Sequence, residues 1–191
     1  MGIFSFLNAK SQSEDEKGVV INGVRWATRN VGAFGTFATK PEDPGMFYQW
    51  NRKKTWPATG TVTGWDKSIP VGDTWSKSND PSPVGWRVPT LYEIKTLFDT
   101  KRVSNEMTTL NGVNGLKFTD RTTGNSLFLP AAGYRECFGG SGGTLYFVGK
   151  DGFYWSSTAN ADDAAYALNF GSGWDWSYGR NSSLSVRAVA K

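Results

Sequence analysis

Short apolar and aromatic runs separated by pairs of turn-forming residues recur along almost the whole chain, and this punctuation restricts its fold more than any other feature. Val19-Val20-Ile21 and Val24-Arg25-Trp26 flank Asn22-Gly23. Both turn residues accept the positive φ of a type I′ turn, so the stretch predicts a tight hairpin. Met46-Phe47-Tyr48-Gln49-Trp50, Leu116-Lys117-Phe118, Leu127-Phe128-Leu129, Leu145-Tyr146-Phe147-Val148, Phe153-Tyr154-Trp155, Ala165 to Phe170 and Leu184 to Val189 read as further strands. Asn111-Gly112, Gly124-Asn125, the Gly-rich run 139–143 and Asp151-Gly152 separate the later ones. With 23 Gly and 15% aromatics in 191 residues, the chain predicts a loop-rich fold of short strands, not a helical bundle.

One helix interrupts the pattern. Thr90 is placed as N-cap with Glu93 three residues on, a capping box, and Pro89 biases Val88 towards extended backbone. Leu91, Ile94, Leu97 and Phe98 then repeat at helical spacing, and the helix should fade near Thr100 to Arg102. A second, weaker helix is expected over Ser104 to Leu110. One or two early helices followed by short antiparallel strands predict an α+β domain. Between Asn30 and Pro83 the chain is rich in Gly, Pro, Thr and Trp, and Trp56, Trp65 and Trp75 are expected to anchor it to the core. Residues 1–17 read as a flexible tail and 18–191 as one domain without an internal repeat.

The inventory excludes several chemistries. Histidine is absent, which removes the commonest general base and the commonest metal ligand together. Cys137 is the only cysteine, so no intrachain disulfide or cysteine metal cluster is available. No cofactor or metal is expected, and no enzyme activity. The opening Met1 to Leu7 is too short an apolar run for a signal peptide, and no stretch predicts membrane insertion. A leader already removed would leave the same sequence.

The stretch 152–191 has a distinct composition. From Asp151 to Ala190 there is no Lys, Glu, Gln or Met, although the rest of the chain uses all four. Aromatic, Ser, Asn, Asp and Gly residues are interleaved there with strand-like alternation, the chemistry of a paratope on a rigid sheet. Four Asp against Arg180 and Arg187 give this stretch a net charge of −2, which leaves +6 for the remainder of a chain whose total is +4. A nucleic-acid binder concentrates basic charge on its contact face. Here the aromatic-rich end is the less basic part, so nucleic acid is not an expected partner.

Four motifs in order carry a resemblance. Pro83-Val84-Gly85-Trp86-Arg87-Val88-Pro89-Thr90-Leu91-Tyr92-Glu93-Ile94, Leu129-Pro130-Ala131-Ala132-Gly133-Tyr134-Arg135, Tyr154-Trp155-Ser156-Ser157-Thr158 and Ser185-Val186-Arg187-Ala188-Val189 resemble the Fibrobacter succinogenes major paralogous domain family, common in Bacteroidetes and their phages. The opening Gly23-Val24-Arg25-Trp26-Ala27-Thr28-Arg29-Asn30-Val31-Gly32 fits as well. The resemblance implies a C-type-lectin-like fold, similar to the formylglycine-generating enzyme domain, with Val24 to Trp26 pairing near the C-terminus. The formylglycine-generating relatives use a cysteine pair, which a chain with Cys137 alone lacks.

Many members of that group resemble the variable proteins of diversity-generating retroelements, in which adenines copied from a template are mutated. Asn codons ending in a pyrimidine then yield Tyr, Ser, Asp, Gly, Ala, Arg or Leu, but not Lys, Glu, Gln, Met or Trp. The resemblance thus implies variable contact positions at Asn160, Asp162, Asp163, Ala167, Asn169, Gly171, Gly173, Asp175, Ser177, Tyr178, Gly179, Arg180, Asn181 and Ser183, with Tyr178 and Arg180 as anchors. Trp155, Trp174 and Trp176 would be fixed scaffold aromatics, with Trp174 and Trp176 equally able to fill the core beneath the loop. Asp162-Asp163 reads as a solvated acidic turn, because calcium needs several converging oxygens and the Glu-Pro-Asn and Trp-Asn-Asp signatures of sugar-binding lectins are missing. The implied function is receptor binding: a phage tail-tip adhesin, in which a homotrimer would suit the tip, recognising a protein or glycan receptor on a bacterial surface. The alternative is a non-variable secreted or lipoprotein surface domain of the same family that binds glycan or protein.

Overall fold

In the computed structural model, which describes residues 16–137, 142–171 and 177–191, the expected first hairpin is the frame for the rest. Strands β1 (Val19–Ile21) and β2 (Val24–Trp26) pair antiparallel, with Ile21 opposite Val24. Asn22 and Gly23 make the turn at φ of 46° and 82°, as two-residue hairpins require. The far edge of β2 receives β15 (Val189–Ala190), with Val189 opposite Trp26. Strand β5 (Trp86–Arg87) lies on the other side of β15, completing a four-stranded sheet β1-β2-β15-β5.

Helix α1 (Leu91–Thr96) starts at its capping box: Thr90 Oγ1 accepts from the Glu93 amide at 3.2 Å, and Glu93 Oε2 accepts from the Thr90 amide at 2.8 Å. It stops after six residues. The amides of Leu97 and Phe98 already bond three residues back, to Ile94 and Lys95, the tightened turn that ends a helix.

The expected second helix is a strand. Ser104 to Leu110 belong to β6 (Val103–Leu110), which pairs in unbroken register with β7 (Val113–Asp120) across the Asn111-Gly112 turn. Strand β7 pairs in turn with β8 (Ser126–Pro130). Strand makes up 41% of the molecule and helix 4%. The expected α+β, C-type-lectin-like class is therefore overturned: the fold is β-rich and almost entirely antiparallel, with one short helix among the described residues. The helical spacing of Leu91, Ile94, Leu97 and Phe98 covers barely two turns, and β6 takes its conformation from a partner strand that local propensity does not reveal.

A five-stranded sheet follows the order β10 (Thr144–Tyr146), β9 (Tyr134–Glu136), β14 (Ser183–Leu184), β3 (Met46–Gln49) and β4 (Thr55–Pro57). The last sheet is β11 (Gly152–Ala159), β12 (Ala164–Phe170) and β13 (Ser177–Gly179). Strand β11 divides two hydrophobic cores. Phe153 and Trp155 face one, with Trp50, Tyr48, Leu184 and Val186, while Tyr154 faces the other, with Trp26, Phe118, Leu129 and Phe170. A strand covered on both faces reads as a continuous apolar run, which is why Phe153-Tyr154-Trp155 shows no polar alternation. Trp56, Trp65 and Trp75 are buried as expected, the first two packed against each other at 4.5 Å. No described helix is long and apolar enough to cross a membrane.

Two fully buried arginines bind neutral oxygens, mostly backbone carbonyls, rather than acids. Arg135 donates to the carbonyls of Pro57, Thr59, Gly60 and Gly143 at 2.6 to 2.9 Å. Arg187 donates to Asn30 Oδ1 at 2.9 Å and the Ala27 carbonyl at 3.2 Å, and burial pushes its guanidinium down to about 10. Glu16 joins the fold from the far side of Arg29, accepting from Thr28 and Arg29 while 6% exposed.

Two outcomes follow. Trp155 is fully buried and donates from Nε1 to the Tyr48 carbonyl at 2.6 Å. Trp155→Ala should therefore lower stability by about 3–5 kcal/mol, read as a shifted urea midpoint. Burial alone would raise the Glu93 carboxyl, but hydrogen bonds from Arg87 and Thr90 outweigh it and hold it below the ordinary carboxylate range. A group depressed on folding stabilises above its unfolded value, about 4.3 for Glu, and that stability is lost as pH falls through the folded value. Melting temperature should drop below pH ~4 in the parent, and Glu93→Gln should flatten that part of the profile.

Candidate ligand-binding face

One face of the β11-β12-β13 sheet runs out into an aromatic cluster. Phe153 of β11 lies opposite Asn169 of β12, and Tyr178 of β13 lies opposite Ala165. Period-two alternation puts Phe153, Trp155, Ala165, Ala167, Asn169 and Tyr178 on the same side. The Tyr134 ring of β9 packs against this side, 4.5 Å from Phe153 and 5.8 Å from Tyr178 between centroids. Asn169 Nδ2 donates to the Tyr178 hydroxyl at 2.9 Å. Asn169 Oδ1 is buried with no hydrogen-bond partner among the described residues.

A turn after β10 adds the outer ring of the cluster. Phe147 lies nearly parallel to Tyr134, 6.2 Å away at an interplanar angle of 8°, and Tyr146 sits 6.1 Å from Tyr134. Tyr146, Phe147 and Val148 are 43%, 44% and 54% exposed, three large side chains in a row left open to solvent. Phe147 has a φ of 58°, a left-handed conformation that costs a bulky residue energy. The amides of Lys150 and Asp151 both bond the Phe147 carbonyl at 3.0 Å, and the Gly149 amide bonds Ala131 at 2.8 Å. Gly133 makes this turn possible: a Cβ there would collide with the Tyr146 carbonyl oxygen.

The electrostatics of the cluster are quiet. Burial, reinforced by the Glu136 carboxylate to which its hydroxyl donates at 2.7 Å, pushes the Tyr134 phenol well up. Burial likewise raises the Cys137 thiol to about 11, with Glu136 adding to it, the opposite of an activated nucleophile. Glu93, with both oxygens held by Arg87 and the helix cap, is committed to structure. Among the described residues no three acidic or thiol groups converge as metal ligands.

The expected contact residues divide by burial. Asn160, Asp162, Asp163 and Gly171 are exposed, and Ser177, Tyr178, Gly179 and Asn181 are half-buried. The pairing of Ala164 with Gly179 brings the 160–164 turn beside 177–181, and Asn160 Nδ2 donates to Ser177 Oγ at 2.8 Å. Asn181 Nδ2 reaches the Lys67 carbonyl at 3.0 Å. Ala167 and Ser183 are fully buried in the core, and Asn169 is 7% exposed. Gly173, Asp175, Trp174 and Trp176 lie outside the described residues. Trp155 is buried scaffold.

Arg180, expected as a contact anchor, is interior at 3% exposure. Its guanidinium donates to Ala164, Pro70 and Ala161 carbonyls at 3.1, 3.1 and 2.6 Å and lies 4.4 Å above the Trp50 ring. An arginine in a β-edge sequence reads as a surface anchor because the carbonyls that capture it come from distant residues. Tyr146, Phe147 and Val148 were not among the expected contact residues for the converse reason: an apolar run reads as a buried strand. The available signal was the absence of any charge from 138 to 149 around a run flanked by glycines.

Residues 103–189, from the start of β6 to the first residue of β15, are similar to the domain of unknown function DUF8237. No curated protein and no solved structure matches the chain.

Because Arg180 satisfies three carbonyls, Arg180→Ala should cost about 3 kcal/mol, with Arg180→Lys recovering only part of it, as measured by denaturant unfolding. Tyr178→Ala, at a half-buried edge position, should cost clearly less.

Proposed function

We propose that this chain is a receptor-binding protein, carried on a phage tail tip or a bacterial surface, whose C-terminal face meets the ligand and is diversified by a retroelement. The observation that supports the reading most is the interleaving of two residue sets in 152–191. Trp155, Ala167 and Ser183 lie inside, while Asn160, Asp162, Asp163, Ser177, Tyr178 and Asn181 lie at or near the surface around the β12–β13 edge. The exposed set consists of residues that mutated Asn codons reach, on the 160–163 and 181 turns and on β13, beside strands that pack on the core. The motif resemblance lends the diversification part its basis, without the fold once expected to accompany it. A charge-poor aromatic cluster that meets this set at Tyr178 suits binding better than acid–base catalysis, for which Glu93 and Cys137 are poorly prepared.

A codon library provides the test. Varying Asn160, Asp162, Asp163, Ser177 and Asn181 through adenine-mutated Asn codons should give mostly folded chains, melting within about 4 °C of the parent, with altered binding to bacterial cells. The same treatment of Ala167, Arg180 and Ser183 should mostly unfold the domain. Equal tolerance of both sets would count against the reading, and a locus without a template repeat and reverse-transcriptase gene would remove its diversification part.

A further inference from the structure

We propose that the exposed Tyr146–Phe147 ledge is a saccharide-stacking site that takes the apolar face of an uncharged sugar unit, with Phe147 as its main contact. The proposal rests on the receptor-binding reading and names the ligand class for that face.

Phe147 is the outlier that leads to it. A left-handed φ of 58° is ordinary for Gly or Asn, whereas a bulky aromatic residue there is strained. Burial does not repay that cost, since Phe147 remains 44% exposed. The surroundings nonetheless hold the conformation firmly: Gly133 admits the turn, two amides clamp the Phe147 carbonyl, and Tyr134 aligns the ring to within 8°. What the strained backbone achieves is an oriented ring that faces solvent.

The chemistry around the ring selects the ligand. Residues 138–149 carry no charge, so the rings of the ledge present an uncharged surface. The Tyr146 ring extends the surface 6.3 Å away from Phe147. Val148 also borders a groove of about 360 Å³ with Asp43 on its wall, a carboxylate that accepts hydrogen bonds from hydroxyls. Aromatic faces flanked by hydroxyl and carboxylate acceptors match a pyranose ring, which has one face of C–H groups and a rim of hydroxyls. Three exposed side chains fall far short of the 20–30 residues a side of a stable protein interface, whereas one ring suffices to stack one sugar.

The experiment measures binding of the labelled full chain to a panel of bacterial cells left untreated, digested with protease, or oxidised with periodate, which cleaves vicinal diols. Binding should survive protease and disappear after periodate. Phe147→Asn, compatible with the backbone, should melt within about 4 °C of the parent yet bind roughly tenfold more weakly, the loss of one stacking contact. Tyr146→Ser should weaken binding in the same direction and does not depend on the strained position. Binding lost to protease and spared by periodate would identify a protein receptor and overturn the saccharide assignment alone. Full binding by both variants would overturn the ledge. A parent chain that binds no cells would overturn the receptor-binding reading itself.

Discussion

Guanidinium groups gathering backbone carbonyls hold this fold together where its sheets do not. Arg135, Arg180 and Arg187 are each at least 97% buried, and none is ion-paired among the described residues. A guanidinium presents five donors in a rigid plane, so one residue satisfies several carbonyls that irregular backbone leaves without a ladder partner. Arg135 ties the loop after β4 to Gly143, Arg180 ties Pro70 to the 161–164 turn, and Arg187 ties the exit of β2 to Asn30. The long Gly- and Pro-rich stretch between β3 and β5 is pinned in this way, together with Trp56, Trp65 and Trp75. It also follows that part of the net charge of +4 lies in the interior, away from any surface field.

Rigidity bought by these clamps is what lets the aromatic face remain open. Tyr134 belongs to the five-stranded sheet, Phe153 and Tyr178 to the C-terminal one, and Phe147 to a turn between them. Rings from three elements meet where Arg135, next to Tyr134, and Arg180, two residues after Tyr178, fix the neighbouring backbone through carbonyl bonds. The Glu136 carboxylate is absorbed within the same region, accepting from Tyr134, the Cys137 amide and Ser182. The face is left uncharged in character, and its polarity comes from amide and hydroxyl groups.

Local signals were the legible ones. The Asn22-Gly23 hairpin and the Thr90–Glu93 cap each depend on two to four adjacent residues, and each is present. What failed depends on partners far along the chain. Residues 104–110 became a strand because β7 lies beside them, and Arg180 became interior because Pro70 faces it. Exposure divides in the same way: the turn at 160–163 is exposed by its own composition, whereas the burial of Ala167 and Ser183 is decided by the cores on either side. Tyr146 and Phe147 escaped because a sequence shows apolarity but not the sign of φ.

The antiparallel neighbours β2 and β15 carry a consequence for the order of folding. Val189 pairs with Trp26 across most of the chain's length, and a hairpin as short as β1–β2 is marginal on its own. As the chain emerges during synthesis, Trp26 has only part of its cover until the final strand arrives, so the most non-local contacts form last. A frameshift anywhere in the C-terminal stretch would delete the closing strand and leave a chain unable to finish folding. Defective copies would then be removed by proteolysis before they could accumulate, a quality check that the topology supplies without any dedicated factor.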